Sequence, residues 1–184
     1  MSILVIWSSP NTDGLTAAAA DHIVQGIQAA GAEADVIHLN AKNVSMCRAC
    51  GNSWGTCLSQ GKCVIDDDFE QIYRAIIACD ALVLVSPVYW HDISENMKSL
   101  VDRMRRCDPF TNHALVGKKC MLVACAGGTG NGAISCLRKM EAFASHLKMQ
   151  PLERIPVIRF NREYMLPALR GAGGMFARHY EDWK

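Results

Sequence analysis

The chain of 184 residues is half hydrophobic by composition, and its 19 basic and 18 acidic side chains leave a net charge of +1. This composition excludes disordered and collagen-like classes, and the charge balance provides no basic surface for nucleic acid or an anionic membrane. The apolar runs are far shorter than the roughly 20 residues that span a bilayer. The N-terminus also lacks the basic region of a signal peptide. We therefore expect a single cytoplasmic domain over residues 1–184, with mostly reduced cysteines and a small-molecule ligand.

Five short apolar runs indicate strands. Three of them, residues 3–7, 81–85 and 120–126, are continuous rather than alternating, which is typical of strands buried on both faces of a parallel sheet. Weaker runs at residues 34–39 and 155–158 predict two further strands. The strands should therefore form the centre of the molecule.

Apolar residues at helical spacing lie between the strands and predict helices at residues 15–30, 69–78, 94–106 and 133–148. Asp92, three residues before Glu95, suggests a capping box at the start of the third helix. Alternating strands and helices are typical of a doubly wound α/β fold with helices on both faces of the sheet.

Two segments depart from this alternation. Residues 40–68 form an irregular cysteine-rich insertion, and insertions of that length are usually functional. Residues 159–184 form a C-terminal tail, in which Gly171, Gly173 and Gly174 are expected to break any long helix.

The loop after the first strand, residues 8–16, is rich in hydroxyl groups and turn formers. A helix N-terminus offers unpaired N–H groups and the positive end of a dipole, so Ser9, Asn11 and Thr16 could complete a phosphate cradle around it. The same residue types also suit an ordinary helix cap and turn. The loop alone does not decide between these two interpretations.

Two more loops follow buried strands. Residues 86–92 place Tyr89 and Trp90 side by side, where a planar ring could cover them; packing on neighbouring loops or in a subunit interface is the alternative. Residues 127–132 contain four glycines and allow a ligand to approach the backbone closely. In doubly wound sheets, ligands bind beyond the carboxyl ends of the strands, where these loops lie.

The segments SSPNTDGLT, CRACGNSWGTCLSQGKCVIDDDF and ACDALVLVSPVYWHDISENMKSLVDR together resemble the NADPH-dependent FMN reductase and iron-sulfur flavoprotein family, which is flavodoxin-like in fold. The resemblance covers roughly residues 2–150. It implies a five-stranded sheet of order 2-1-3-4-5, FMN as cofactor, NAD(P)H as co-substrate, and a homodimer or dimer of dimers. It implies no catalytic side chain, since the cofactor supplies the chemistry.

The same resemblance implies the residues that bind FMN. The phosphate would lie on the first loop, and the isoalloxazine ring would lie against the second and third loops. The residues concerned are Ser9, Asn11, Gly14, Leu15 and Thr16 for the phosphate, and Pro87, Val88, Tyr89, Trp90, Gly127 and Gly128 for the ring. Family members often carry a basic residue where Asn11 stands. Here the loop has none and contains Asp13, so phosphate binding would depend on amides and hydroxyls.

Four cysteines of the insertion, Cys47, Cys50, Cys57 and Cys63, could hold a [4Fe–4S] cluster or, with less suitable spacing, zinc. In cluster-bearing members the third ligand follows the second after two residues, and Ser53 occupies that position here. A hydroxyl is a poor ligand for iron. We therefore predict no metal and expect these thiols to pack near the flavin. The other five cysteines should be core residues.

The leading hypothesis is a flavoprotein that transfers hydride from NAD(P)H to FMN and passes electrons to a small acceptor such as free flavin or a quinone. Two alternatives remain open. The protein could be a non-enzymatic flavin or iron–sulfur electron carrier to a partner protein. It could also be a fold relative that has lost flavin and serves as a binding module.

Overall fold

The computed structural model describes residues 1–180 and 182. Its strands and helices alternate along most of the chain. They are β1 (Ser2–Trp7), α1 (Leu15–Ala29), β2 (Glu33–His38), α2 (Thr56–Gln60), α3 (Phe69–Ala78), β3 (Ala81–Pro87), α4 (Glu95–Cys107), β4 (Lys119–Ala126), α5 (Ala133–His146), β5 (Gln150–Ile158) and α6 (Arg162–His179), with a 3₁₀ turn at Leu39–Ala41. The five predicted strands and the four predicted helices are thereby confirmed, and all except the helix at residues 69–78 have shifted ends.

All five strands pair in parallel in the order β2-β1-β3-β4-β5, which confirms the predicted flavodoxin-like fold. Trp7, the last residue of β1, lies in register with His38 of β2 and with Val85 of β3. Because every strand runs the same way, the loops after β1, β3 and β4 leave the sheet from one edge. From β1 the chain adds β2 on one side, and it then crosses to add β3 on the other side of β1. The carboxyl ends of β1 and β3 therefore flank the point where the order of strands switches, and ligands bind at this point in such folds.

The sheet separates two hydrophobic cores. Alternate residues of the central strands point to opposite faces, so Leu82 and Leu84 enter one core while Val83 and Val85 enter the other. Helices α3, α4 and α5 cover the first core, and α1 and α6 cover the second. Burial on both faces explains why the sequence of these strands is continuously apolar.

The prediction that glycines break any long helix in the C-terminal tail is wrong, because α6 extends over 18 residues. A Cβ atom on Gly26 of α1 would lie 2.0 Å from the Arg170 carbonyl oxygen, and one on Gly173 would lie 2.4 Å from the Ile23 carbonyl oxygen. The glycines therefore let α1 and α6 cross with their backbones in contact. That packing outweighs the low helix propensity of glycine, which costs about 1 kcal/mol per residue.

The start of α4 also differs from the prediction. Ser94, not Asp92, is the N-cap residue, and its hydroxyl oxygen accepts a hydrogen bond from the Met97 amide at 3.3 Å. The Asp92 carboxylate instead accepts from the Ile93 amide. The short helix α2 was not predicted, since five residues are too few to show a period. Within the part of the chain that the structure describes, every helix is too short or too polar to cross a membrane.

Candidate functional site

We call residues 8–16 the phosphate loop after the role that the family resemblance implies for them. Two bonds to neighbouring segments fix the loop at its start. The Ser8 amide donates to the Val85 carbonyl oxygen of β3 at 3.0 Å. The buried Ser8 hydroxyl lies 2.7 Å from the hydroxyl of Ser94, and the Ser94 amide donates to the Ser86 hydroxyl oxygen at 3.1 Å. A line of serines therefore joins the phosphate loop to the end of β3 and the start of α4.

Hydrogen bonds within the phosphate loop shape its turn. The Asn11 amide donates to the Ser9 hydroxyl oxygen at 3.2 Å, and the Asp13 amide donates to Asn11 Oδ1 at 3.3 Å. Gly14 is the N-cap of α1 and has no side chain to accept from the first turn of the helix. The N–H groups of that turn, next to half-buried Leu15, are therefore available to an anion.

Thr16 lies deeper than the resemblance implies. Its side chain is buried and hydrogen bonds with the Cys125 thiol at the end of β4. Burial raises the pKa of that thiol to about 12, and the Thr16 bond opposes the rise only partly. Thr16 therefore links the phosphate loop to β4 through an inert thiol, and Ser9 of the same loop is buried as well.

The aromatic loop, residues 86–92, forms a tight turn closed by Tyr89 and Asp92. Each of these residues donates its amide to the carbonyl oxygen of the other, at 2.9 and 3.0 Å. The two residues at the tip, Trp90 and His91, have φ angles of 50° and 67°. Non-glycine residues pay about 1–2 kcal/mol for this left-handed conformation. The Trp90 side chain is 97% exposed, so the strained turn presents a large apolar ring to the outside.

The glycine loop, residues 127–132, lies directly beside the aromatic loop. The Val88 amide donates to the Cys125 carbonyl oxygen at 2.9 Å, and a Cβ atom on Gly132 would lie 2.9 Å from the His91 Cα. In contrast, no atom lies within 4 Å of the position that a Cβ would take on Gly127 or Gly128. The backbone there borders open space, as close approach of a flat ligand requires.

The three loops therefore meet at the carboxyl edge of β1, β3 and β4. The structure brings together all the residues predicted to bind FMN, although they differ in exposure. Asn11, Tyr89, Trp90, Gly127 and Gly128 are exposed; Gly14, Leu15 and Val88 are half-buried; and Ser9, Thr16 and Pro87 are buried. Uncapped amides on one side and an unsupported aromatic ring on the other fit a ligand with a phosphate and a planar ring.

The cysteine segment, residues 40–68, encloses a cavity of its own. Five free thiols line it: Cys47, Cys50, Cys57, Cys63 and, from α4, Cys107. Over residues 1–180 and 182, however, no three cysteine, histidine, aspartate or glutamate side chains stand in positions able to hold a metal ion. As placed, the thiols do not fit a cluster. The absence of a metal remains a prediction.

One buried ion pair attaches the cysteine segment to α4. Arg103 donates to both carboxylate oxygens of Asp67, at 2.7 and 2.9 Å, and to the Ser45 carbonyl oxygen at 3.0 Å. Both charged side chains are only 1% exposed. The guanidinium also lies 4.1 Å from the centre of the Phe69 ring. Arg103 therefore holds both ends of the segment against the same helix.

The pKa values of this pair move apart. Burial alone would raise the pKa of Asp67, but the bonds from Arg103 and from the Ser45 and Phe69 amides reverse the effect, and the net pKa is lowered. Burial would lower the pKa of Arg103, and its bond to Asp67 raises it instead. Both groups are therefore charged over the whole physiological range.

The remaining five cysteines have buried side chains. Cys79, Cys107, Cys120, Cys125 and Cys136 are all buried, which confirms their assignment to the core. Burial raises the pKa of Cys107, Cys120 and Cys136 to about 12. These thiols therefore stay protonated and unreactive.

Comparison with known proteins supports the resemblance. Residues 1–161 match the family model described as NADPH-dependent FMN reductase. An iron-sulfur flavoprotein of Archaeoglobus fulgidus is 33% identical over 104 residues, which are 56% of this chain and 46% of that protein. An iron-sulfur flavoprotein of Methanosarcina thermophila is 35% identical over 105 residues, covering 55% and 50%. The chain thus spans about half the length of these relatives.

Among solved structures, the fold is similar to the NAD(P)H:quinone oxidoreductase from Methanothermobacter marburgensis. The TM-score is 0.69, the sequence identity is 18%, and the superposition covers 96% of both chains. An identity this low carries the fold and no more. The likeness agrees with the sheet order and with the position of the loops described above.

Proposed function

The chain belongs to the NADPH-dependent FMN reductase family, and from that premise we propose that it binds FMN at the carboxyl edge of the sheet. We propose further that hydride passes from NAD(P)H to the flavin, and electrons from there to a small acceptor such as free flavin or a quinone. One observation carries the proposal. The uncapped N-terminus of α1 and the exposed Trp90 ring lie on adjacent loops at the switch point of the sheet.

FMN, when bound, supplies the hydride chemistry at its ring. The first-turn amides of α1 and the hydroxyls of the phosphate loop bind the phosphate, which fits a loop without a basic side chain. The open backbone at Gly127 and Gly128 admits the ring edge, and Tyr89 and Trp90 cover a ring face. No side-chain acid or base is assigned to the site, since hydride transfer needs binding and orientation.

Flavin binding is tested by titrating the purified protein with FMN and recording the visible absorption spectrum. We expect bound flavin and, on addition of NADPH or NADH, steady oxidation of the nicotinamide when a quinone or free FMN is present. Thr16→Val is expected to weaken FMN binding by about 1.5–3 kcal/mol, because in the bound state the Thr16 hydroxyl exchanges the Cys125 thiol for the phosphate. Failure of wild-type protein to bind FMN at micromolar concentration would contradict the proposed function.

A second candidate function is electron transfer to a partner protein without turnover of a small acceptor. The observation that favours it is the cavity lined by Cys47, Cys50, Cys57 and Cys63, four thiols gathered outside the flavin site. The iron content and the absorption spectrum of protein purified without oxygen distinguish the carrier from the reductase. About four irons per chain and absorbance near 400 nm that dithionite bleaches would support the carrier. Flavin alone, with nicotinamide oxidation, would support the reductase.

We also propose a homodimer or a dimer of dimers, as the family resemblance implies and as two-fold pairing is common among soluble proteins. The exposed Tyr89 and Trp90 support the proposal, because a partner's loop or tail could cover part of these rings. Light scattering at micromolar concentration tests it, and a monomer would contradict it.

A further inference from the structure

His38 lies against the phosphate loop from the neighbouring strand, and nothing in the family resemblance gives it a role. It is the last residue of β2 and lies in register with Trp7, the last residue of β1. The imidazole stacks flat on the indole, with ring centres 3.7 Å apart and planes within 3°. The stack fixes the ring in one orientation at the edge where the loop begins.

The imidazole holds the backbone of the loop. His38 Nε2 lies 2.9 Å from the Ser9 carbonyl oxygen, and because a carbonyl only accepts, the imidazole carries its proton on Nε2 and donates. Ser9 in turn accepts from the Asn11 amide, and the Asn11 side chain lies against Gly14, the N-cap of α1. Contacts therefore run continuously from β2 to the helix end that would receive the phosphate.

The composition of the phosphate loop makes the hydrogen bond from His38 to the Ser9 carbonyl oxygen important. Residues 8–16 contain no lysine, arginine or histidine, and Asp13 adds a negative charge. An anion site without a cation depends on amides and hydroxyls that already point at the ligand, because ordering them on binding would reduce the affinity. Ser8 anchors one side of the loop through β3 and α4, while the Ser9 carbonyl is fixed from β2.

We propose that His38 is a positioning residue for the flavin phosphate: clamped by Trp7, it holds the Ser9 carbonyl so that the loop is organised before the ligand arrives. This inference rests on the proposed function. It assigns His38 to the recognition of the phosphate group rather than of the flavin ring. It therefore predicts that His38 favours FMN over riboflavin, which has the same ring and no phosphate.

The test compares FMN with riboflavin in titrations that follow quenching of flavin fluorescence. His38→Phe keeps a flat ring on Trp7 and removes the donor, and we expect its Kd for FMN to rise about three- to tenfold, the usual effect of one lost hydrogen bond. The Kd for riboflavin should remain within twofold of wild type. His146→Phe, at the exposed end of α5, is the matched control and should change neither value.

A second pair of variants separates donor from ring and keeps the test decisive if His38→Phe does not fold. The amide of Gln reaches about as far as Nε2, whereas the amide of Asn is one methylene shorter. We expect His38→Gln to restore FMN affinity to within twofold of wild type and His38→Asn to lose it. Equal losses for FMN and riboflavin, or no difference between the Gln and Asn variants, would overturn the inference while leaving the proposed function intact. Wild-type protein that binds neither flavin would overturn both.

Discussion

The loops at the carboxyl edge of the sheet are held by main-chain bonds to the strands, with added side-chain bonds from Ser94 and His38, whereas the cysteine segment is attached through a buried side-chain ion pair. Ser8 and Val88 donate their amides directly to carbonyls of β3 and β4. Residues 40–68 depend on Arg103, which reaches Asp67 and Ser45 from α4. A loop of the first kind is positioned by the topology of the sheet. The cysteine segment instead depends on side chains of α4, namely Arg103 and also Arg106, which donates to the Ser53 carbonyl oxygen and lies over the Trp54 ring. Substitutions should therefore affect the two regions very differently.

The largest effect is expected from Asp67→Ala, which leaves Arg103 charged, buried and without its carboxylate. Breaking such a pair typically costs about 3–5 kcal/mol of unfolding free energy. Urea denaturation measures the loss. Asp102→Ala is the matched control, because its pair with Lys98 lies on the exposed side of the same helix and should contribute less than about 1 kcal/mol. Similar losses in both variants would mean that the cysteine segment is not held by the buried pair.

The pH dependence of the unfolding free energy tests the pair of Arg103 and Asp67 in a second way. The pKa of Asp67 is lowered in the folded protein, so its contribution is fully present above the unfolded pKa and is lost as the pH falls through the folded value. We expect the difference in unfolding free energy between wild type and Asp67→Asn to be constant above about pH 5 and to shrink below about pH 4. A difference that grows on acidification would contradict the sign of the shift.

For the carboxyl-edge loops, Ser94→Ala should have a smaller effect. It removes the cap of α4 and leaves the buried Ser8 hydroxyl without its partner. Together these losses should cost about 1–3 kcal/mol of unfolding free energy. Ser99→Ala, inside the same helix, is the control and should be neutral or slightly stabilising. A Ser94→Ala variant as stable as this control would show that the main-chain bonds alone fix the loop.

The smallest effect on stability is expected at Trp90. Its side chain is 97% exposed, so Trp90→Ala should change the unfolding free energy by no more than about 0.5 kcal/mol. Its FMN affinity should fall by the worth of an aromatic contact, about 0.5–1.5 kcal/mol. Thermal denaturation and flavin titration of the same variant give both values. A large loss of stability with unchanged FMN affinity would make Trp90 a structural residue.

The sequence predicts the strands and the edge loops for one physical reason. Parallel strands buried on both faces are continuously apolar, and the loop after each strand is then placed by the sheet itself. The N-cap Ser94 was also within reach of sequence reasoning, since a serine precedes the helix directly; the Asp92–Glu95 pattern concealed it.

Other features could not be predicted, because they depend on register and on distant partners. The contact between His38 and Ser9 needs the pairing of β1 with β2, and the pair of Arg103 with Asp67 joins residues far apart in the chain. The long helix α6 was missed because its glycines appear unfavourable until α1 is placed against them.

The crossing of α1 and α6 has a consequence for how this chain is made. Helix α1 is synthesised before α6, and Ile23 and Ile27 on its buried face share a core with Leu169 and Phe176 of α6. Until the ribosome has released α6, the parts of α1 and of the sheet that α6 covers remain exposed, and exposed apolar surface is where nascent chains aggregate or meet chaperones. The domain can therefore complete its fold only after translation has passed the glycines of α6.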